Sequence, residues 1–182
     1  MKTAIRKQVL AKRDRLTGEQ RAGKSRKIEE LLFALPEFQA THTILFFASF
    51  RSEVDTLPMI RRALAEGKRV ALPKVQGAEL GLFEIKDPAT DVASGAWGIP
   101  EPKDAFPVRI TDIDVVVVPG AAFDAKGNRI GYGAGFYDKL LAGFRGTTVA
   151  LAFEVQIVQD VPASTHDVPV KKIITEERII AP

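Results

Sequence analysis

The sequence predicts an α/β fold: a single-domain, three-layer sandwich whose mostly parallel or mixed central sheet is flanked by helices and preceded by basic N-terminal helices. Three observations carry this. Short apolar runs alternate with stretches of helical periodicity along the chain. Several runs are apolar at every position, as in strands covered on both faces. The chain has 182 residues, 46% apolar and 27% charged, enough for one domain with a sizeable core but few for two. Residues 1–182 are therefore read as one domain.

Residues 2–16 read as a helix, with Ile5, Val9 and Leu16 at helical spacing. Lys2, Arg6 and Arg13 share an adjoining stripe, because spacings of four and seven return to nearly the same angle. Thr17-Gly-Glu-Gln20 is a capping box that opens a second helix. Its apolar face uses Ile28, Leu31, Leu32 and Leu35, and Pro36 stops it. Residues 43–48, TILFFA, predict a buried strand. A helix from Pro58 to Ala65 follows, closed by Gly67. Arg69 to Leu72 reads as the next strand, ended by Pro73. Residues 81–85 make a third, weaker one. The segment from Asp87 to Pro107 is proline-rich and loop-like, long enough to be functional or a covering flap. Asp114-VVVV-Pro119 is the strongest strand: four valines between turn residues. A helix from Gly135 to Leu141, a strand from Thr147 to Phe153, and closing strands at 170–175 and 178–180 complete the chain.

Composition excludes several chemistries. The chain has no cysteine, hence no disulfide, thiolate metal site or cysteine nucleophile. Two histidines, His42 and His166, cannot make a histidine-rich metal cluster. No apolar run approaches the roughly 18 residues of a membrane span. No apolar stretch follows the first basic residues at signal-peptide distance, so a cytoplasmic protein with no membrane partner is expected. Net charge is only +3, yet residues 1–27 hold ten lysines and arginines against Asp14 and Glu19. Such an excess suggests an anionic partner, although a solvated helical face explains most of it.

The segment GNRIGYGAGFYDKLL, Gly127 to Leu141, carries the chemistry. Four glycines fall within nine residues, and a helix follows. Absent side chains let backbone N–H groups face an anion, and a helix start favours negative charge. Arg129 adds a forked donor before the loop. The spacing is neither a Rossmann fingerprint nor a Walker A loop. On spacing alone the segment is either a phosphate cradle or a turn that packs helix on sheet. Asp138 complements the helix start or, beside phosphates, holds magnesium, which takes one or two carboxylates plus phosphate oxygens. Asp167, Asp124 and Asp160 are the candidates for a second carboxylate.

The run PGAAFDAKGNRIGYGAGFYD, Pro119 to Asp138, resembles the 5-formyltetrahydrofolate cyclo-ligase family. Lys2-x-x-x-Arg6, Ser49-x-x-x-Glu53-x-Asp55-Thr56, Ala71-Leu72-Pro73-Lys74, Trp97-Gly98-Ile99-Pro100-Glu101-Pro102, Gln156 and Pro162 to Asp167 agree in the same order, so the resemblance spans the chain. Ala134 and Phe136 depart from the glycine and tyrosine common there. The resemblance implies an ATP- and magnesium-dependent conversion of 5-formyltetrahydrofolate to 5,10-methenyltetrahydrofolate, with ADP and phosphate released. The formyl oxygen attacks the terminal phosphate of ATP, and the neighbouring amine nitrogen then closes the ring. Carried onto this chain, the resemblance implies ATP contacts at Lys2, Arg6, Arg129, Ile130, Gly131, Tyr132, Gly133, Ala134, Gly135, Phe136 and Tyr137. It implies folate contacts at Ala48, Glu53, Trp97 and from Tyr132 to Phe136, where Glu53 suits the paired donors of the pterin. Arg129, Tyr132 and Asp138 are the expected catalytic residues, and Asp138 and Asp167 the magnesium carboxylates. His166 and His42 are expected to be structural or surface residues. The expected partners are ATP and the folate, which can carry a polyglutamate tail, with no nucleic acid, and the expected state is a monomer. A nucleic-acid-binding module built on the basic helices is one alternative, weakened because no aromatic residue precedes Phe33. A non-catalytic folate binder is another.

Overall fold

The computed structural model describes residues 1–103 and 106–182. The chain opens with helices α1 (Lys2–Asp14), α2 (Gly18–Ala34) and α3 (Pro36–Gln39). The capping box forms: the Gln20 N–H donates to Thr17 Oγ1 at 3.1 Å, and the Thr17 N–H donates to Gln20 Oε1 at 2.9 Å. Pro36 does more than stop α2. With Leu35 extended before it, Pro36 starts α3, where its missing N–H costs nothing. Then come β1 (Thr43–Leu45), α4 (Leu57–Ala65), β2 (Arg69–Gln76), β3 (Glu79–Ile85), α5 (Pro88–Asp91), β4 (Val92–Ser94), β5 (Pro100–Pro102) and β6 (Val115–Val118). The last part holds β7 (Ala122–Phe123), β8 (Arg129–Ile130), α6 (Phe136–Leu141), β9 (Thr147–Leu151), β10 (Lys172–Ile174) and β11 (Ile179–Ile180).

Seven strands form one mixed sheet in the order β11-β10-β9-β6-β1-β2-β3. The five central strands are parallel, and both edge strands are antiparallel. Helices cover both faces, and the valines of β6 show why both must be apolar. Val115 and Val117 join a core with Ile28, Leu32, Phe38 and Phe46, while Val116 and Val118 join one with Phe123, Leu141 and Ile173. A smaller cluster of Val9, Ala122, Ile130 and Val161 seats α1 against the β7–β8 ribbon.

Two strand expectations need correction. The expected strand 43–48 pairs only over Thr43–Leu45: Phe46 still donates to Ala71, and Phe47 and Ala48 then line the cleft described below. The strand expected to stop at Pro73 runs on to Gln76. The Arg69 N–H donates to the His42 carbonyl and the Ala71 carbonyl accepts from Phe46, so alternate residues of β2 face β1. Pro73 faces the same way, beyond the end of β1, and its missing donor breaks no ladder bond. The segment 87–107 is also more ordered than a loop. It holds α5 and a β4–β5 hairpin with a tight turn at Ala96–Gly98. Asp104 and Ala105, near its end, lie outside the described residues.

From β1 the chain moves to β2 on one side and returns to β6 on the other. The C-terminal ends of β1 and β6 therefore flank a topological switch point, where open α/β sheets form their ligand crevices.

Candidate active site

The crevice is a cleft of about 720 Å³. Every residue expected at the site lines it: Lys2 and Arg6 from α1, Ala48 and Glu53 after β1, Trp97 on the hairpin turn, Arg129 to Asp138, and Asp167. Of the other two acids considered beside Asp138, neither lines the cleft. Asp124 is fully buried and accepts from the N–H groups of Lys126, Asn128 and Val161 and from Asn128 Nδ2, all at 2.9–3.0 Å. Asp160 is paired with Lys126 at 2.9 Å. His166 is exposed beside Thr165 and His42 is exposed before β1, neither of them in the lining.

The glycine segment enters this cleft with its donors unspent. Among the described residues, no protein acceptor takes the backbone N–H groups of Gly131 to Asp138. Gly133 holds φ at 116°, open to glycine alone at low cost. A Cβ on Gly131 would stand 2.9 Å from Arg129 Nη1, so the missing side chain makes room for the guanidinium. Helix α6 has only six residues and no side-chain cap. Its dipole is correspondingly slight, and the positive field of the site comes mainly from side chains. Arg6 Nε donates to the Gly131 carbonyl at 2.9 Å, leaving its other nitrogens to the cleft.

Both acids at this end are held by cations. Asp167 Oδ2 accepts from Lys2 Nζ at 2.5 Å and from the Ser164 N–H at 2.6 Å. Burial pushes the Asp167 carboxyl up, but these bonds and the Lys2 charge outweigh it and hold the group below the usual carboxylate range. Asp138 Oδ1 accepts from Arg129 Nη2 at 2.8 Å and from the Val168 N–H at 3.3 Å. Arg129 is itself buried, with its carbon Cζ 5.8 Å from the Tyr137 ring. Arg129 Nε and the Tyr137 hydroxyl are buried without a partner. No group of three or more acidic, histidine or cysteine side chains gathers among the described residues. Two carboxylates beside unspent phosphate donors nonetheless fit magnesium, whose other ligands would be phosphate oxygens and water.

Glu53 lines the same cleft and meets the glycine segment at Tyr132. Its Oε1 accepts from the Tyr132 hydroxyl at 2.5 Å and its Oε2 from the Phe50 N–H at 2.8 Å. Burial pushes its carboxyl up, only partly offset by Tyr132, the Phe50 N–H and the charge of Arg13. The Tyr132 phenol is raised in turn, first by burial and then by the Glu53 charge. Trp97 is 72% exposed on the hairpin turn, in a left-handed conformation with φ 56°. A core role for the chain's single tryptophan is thereby excluded, and its ring forms part of the cleft wall.

Arg13 is the residue that the sequence reading left out of the site. It is only 4% exposed, and it donates to Tyr132 and Ser52 at the cleft edge. The signal was its place on the stripe of Lys2 and Arg6.

Comparison with known proteins identifies the family. Residues 1–176 match the model of the 5-formyltetrahydrofolate cyclo-ligase family. The chain is 31% identical over 177 residues to the 5-formyltetrahydrofolate cyclo-ligase of Escherichia coli K12, covering 92% of this chain and 96% of that one. The solved structure of Aquifex aeolicus 5,10-methenyltetrahydrofolate synthetase superposes with a TM-score of 0.90 at 36% identity, over 99% of this chain and 92% of that one. A second synthetase structure, from Mycoplasma pneumoniae, shares the fold at a TM-score of 0.79 and 23% identity, over 96% of this chain and 98% of that one.

Proposed function

The chain belongs to the 5-formyltetrahydrofolate cyclo-ligase family, and from that premise we propose that it converts 5-formyltetrahydrofolate to 5,10-methenyltetrahydrofolate at the cost of ATP, with magnesium, releasing ADP and phosphate. The observation that carries this reading is the convergence in one cleft of cations, unspent backbone donors, a carboxylate at Glu53 and the tryptophan at position 97.

The residues divide as follows. Lys2, Arg6 and the N–H groups of Gly131 to Tyr137 bind the phosphates and neutralise their charge. Glu53 accepts from the paired donors of the pterin, as a carboxylate does from a guanidinium. Trp97 and Ala48 wall the folate, and Tyr132 to Phe136 meet both ligands. The formyl oxygen takes the terminal phosphoryl group, the neighbouring amine nitrogen attacks the activated carbon, and phosphate leaves. No protein nucleophile is required, in keeping with a chain that has no cysteine. Catalysis is then mostly positioning and charge stabilisation, which falls to Arg129, Tyr132 and Asp138. Asp138 and Asp167 would hold the magnesium ion, which supplies charge neutralisation on the phosphates when bound. The Tyr137 hydroxyl, buried and unpartnered, is a donor that a bound nucleotide can satisfy.

We further read the chain as a monomeric cytoplasmic enzyme whose 182 residues act as one domain. No described helix is long and apolar enough to cross a membrane. Lys2, Arg6 and Arg13 turn into the cleft, which removes three of the cations a nucleic-acid surface would use. The assay is direct: purified protein, ATP, magnesium and 5-formyltetrahydrofolate should yield the near-ultraviolet absorbance of methenyltetrahydrofolate. No rise, with a known cyclo-ligase active alongside, overturns the reading. Folate binding without ATP turnover would leave a folate binder in its place.

A further inference from the structure

Helix α1 grips the glycine segment at two consecutive residues. Arg6 holds the Gly131 carbonyl, and seven residues on, Arg13 Nη1 donates to the Tyr132 hydroxyl at 2.8 Å. The other branch of Arg13, Nε, donates to Ser52 Oγ at 3.0 Å, and Ser52 donates to Asp14. Arg13 is thus buried with Nε and Nη1 both spent on protein, and it is these two bonds that tie Ser52 and Tyr132 to α1.

The consequence lies at Tyr132. A phenol has one proton to donate and lone pairs to accept with. Because Arg13 can only donate, it occupies a lone pair and leaves the proton for Glu53 Oε1, 2.5 Å away. Glu53 Oε2 is fixed by the Phe50 N–H. An ionised carboxylate offers about four acceptor positions. With one donor on each oxygen, both oxygens keep a position for the paired donors of a ligand. Residues 50–53 and Tyr132 are 79 positions apart in sequence at the Tyr132–Glu53 bond, and Arg13 ties both to α1.

We propose that Arg13 is a positioning residue which, by orienting Tyr132 against Glu53, sets the affinity of the cleft for the folate and not for the nucleotide. The proposal rests on the cyclo-ligase reading. The planar fork is essential to it, since one side chain must reach Ser52 and Tyr132 together.

The test is a double-mutant cycle with two readouts. Arg13→Met should raise the KM for 5-formyltetrahydrofolate about tenfold, the loss expected for one charge-assisted bond. The KM for ATP should stay within about twofold, and kcat should fall no further than it does in Tyr132→Phe, since Arg13 acts only through that hydroxyl. Tyr132→Phe should raise the folate KM as well. In the Tyr132→Phe background, Arg13→Met should add almost nothing, because its partner is already gone. Arg13→Lys, with a single donor group, should recover part of the folate affinity. Equal rises in both KM values, or effects that add in the double variant, overturn the proposal and make Arg13 a docking residue for α1. Direct folate binding, followed by the fluorescence of the lone tryptophan at position 97, gives the second readout and needs no turnover. Were the wild type to bind folate yet make no product, the cyclo-ligase reading would fail while the Arg13 effect on binding stayed measurable. Circular dichroism melts check each variant. Should Arg13→Met unfold, the cycle is run with Arg13→Lys, and additivity there overturns the proposal equally.

Discussion

Replacing Asp138 by asparagine should weaken the fold as well as the chemistry. Asp138 Oδ1 is the counter-charge of Arg129, at 2.8 Å, and also accepts from the Val168 N–H. The Arg129 side chain is only 5% exposed, against 26% for Asp138, and Arg129 Nε already lacks an acceptor. Asparagine keeps an acceptor oxygen but removes the charge, leaving a buried guanidinium uncompensated. Removing one partner of a fully buried pair costs about 3–5 kcal/mol. Water reaches the Asp138 side of this pair, so the loss here is about 2–3 kcal/mol. For a chain of this size each kcal/mol lowers the melting temperature by about 2–4 °C, which gives a fall of about 4–12 °C. Thermal melts by circular dichroism measure it. Arg129→Met combined with Asp138→Asn should melt higher than Asp138→Asn alone, because no charge is then stranded. A single variant that melts within about 1 °C of the wild type would refute the argument. Turnover by Asp138→Asn should therefore be measured well below its melting range, where its near-loss reports on the site.

Three further outcomes are expected. Glu53 titrates above the ordinary value of 4.5, so its charged form is lost early on acidification: folate affinity should fall with a midpoint above pH 4.5, and Glu53→Gln should flatten that limb. The same raised value means that any contribution of Glu53 to stability is fully present below the unfolded pKa and lost as pH rises through the folded one. A binding midpoint at or below 4.5 counts against Glu53 as the folate acid. Trp97→Gly removes an exposed ring and relieves a left-handed backbone worth about 1 kcal/mol, so melting should hold or rise slightly while folate affinity drops about tenfold; a clear fall in melting temperature would assign Trp97 to packing. Asp124→Ala strands four donors and should cost about 2–4 kcal/mol by urea unfolding. Burial raises the Asp124 pKa, but Asn128 and the three backbone N–H groups outweigh it and hold the group low. Its contribution is therefore present above the unfolded value and lost as pH falls through the folded one, and Asp124→Asn should flatten the acid limb of stability. An unchanged limb refutes that assignment.

The parts of the fold that could be read from sequence are those whose signal is local. Four successive valines announce a strand buried on both faces, and Thr17 with Gln20 announces a helix start, whatever lies elsewhere. The β4–β5 hairpin escaped because its strands have three residues each, β4 largely exposed and β5 bounded by prolines, so neither alternation nor apolarity marks them. Pro73 misled for a related reason: its cost depends on where β1 ends, a fact about another strand. The site divides the same way. Gly131 to Asp138 form one contiguous run. The choice of Asp167 over Asp124 and Asp160 as the second acid of the cleft, and the place of Arg13, depend on contacts between residues more than a hundred positions apart in the first and last cases. Spacing set Arg13 on the right stripe of α1 but not the partner across from it.

The bond from Lys2 to Asp167 joins residues 165 positions apart. At about 5–20 residues per second, a ribosome finishes the partner roughly ten to thirty seconds after the first helix has been made. A helix of 13 residues is marginal alone in water, and α1 places little on its apolar side beyond Ile5 and Val9. It can wait unfolded and charged, offering little for other nascent chains to stick to. Lys2 and Asp167 must both be in place before their part of the cleft wall closes, so that wall is a late product of folding, assembled from segments made far apart in time.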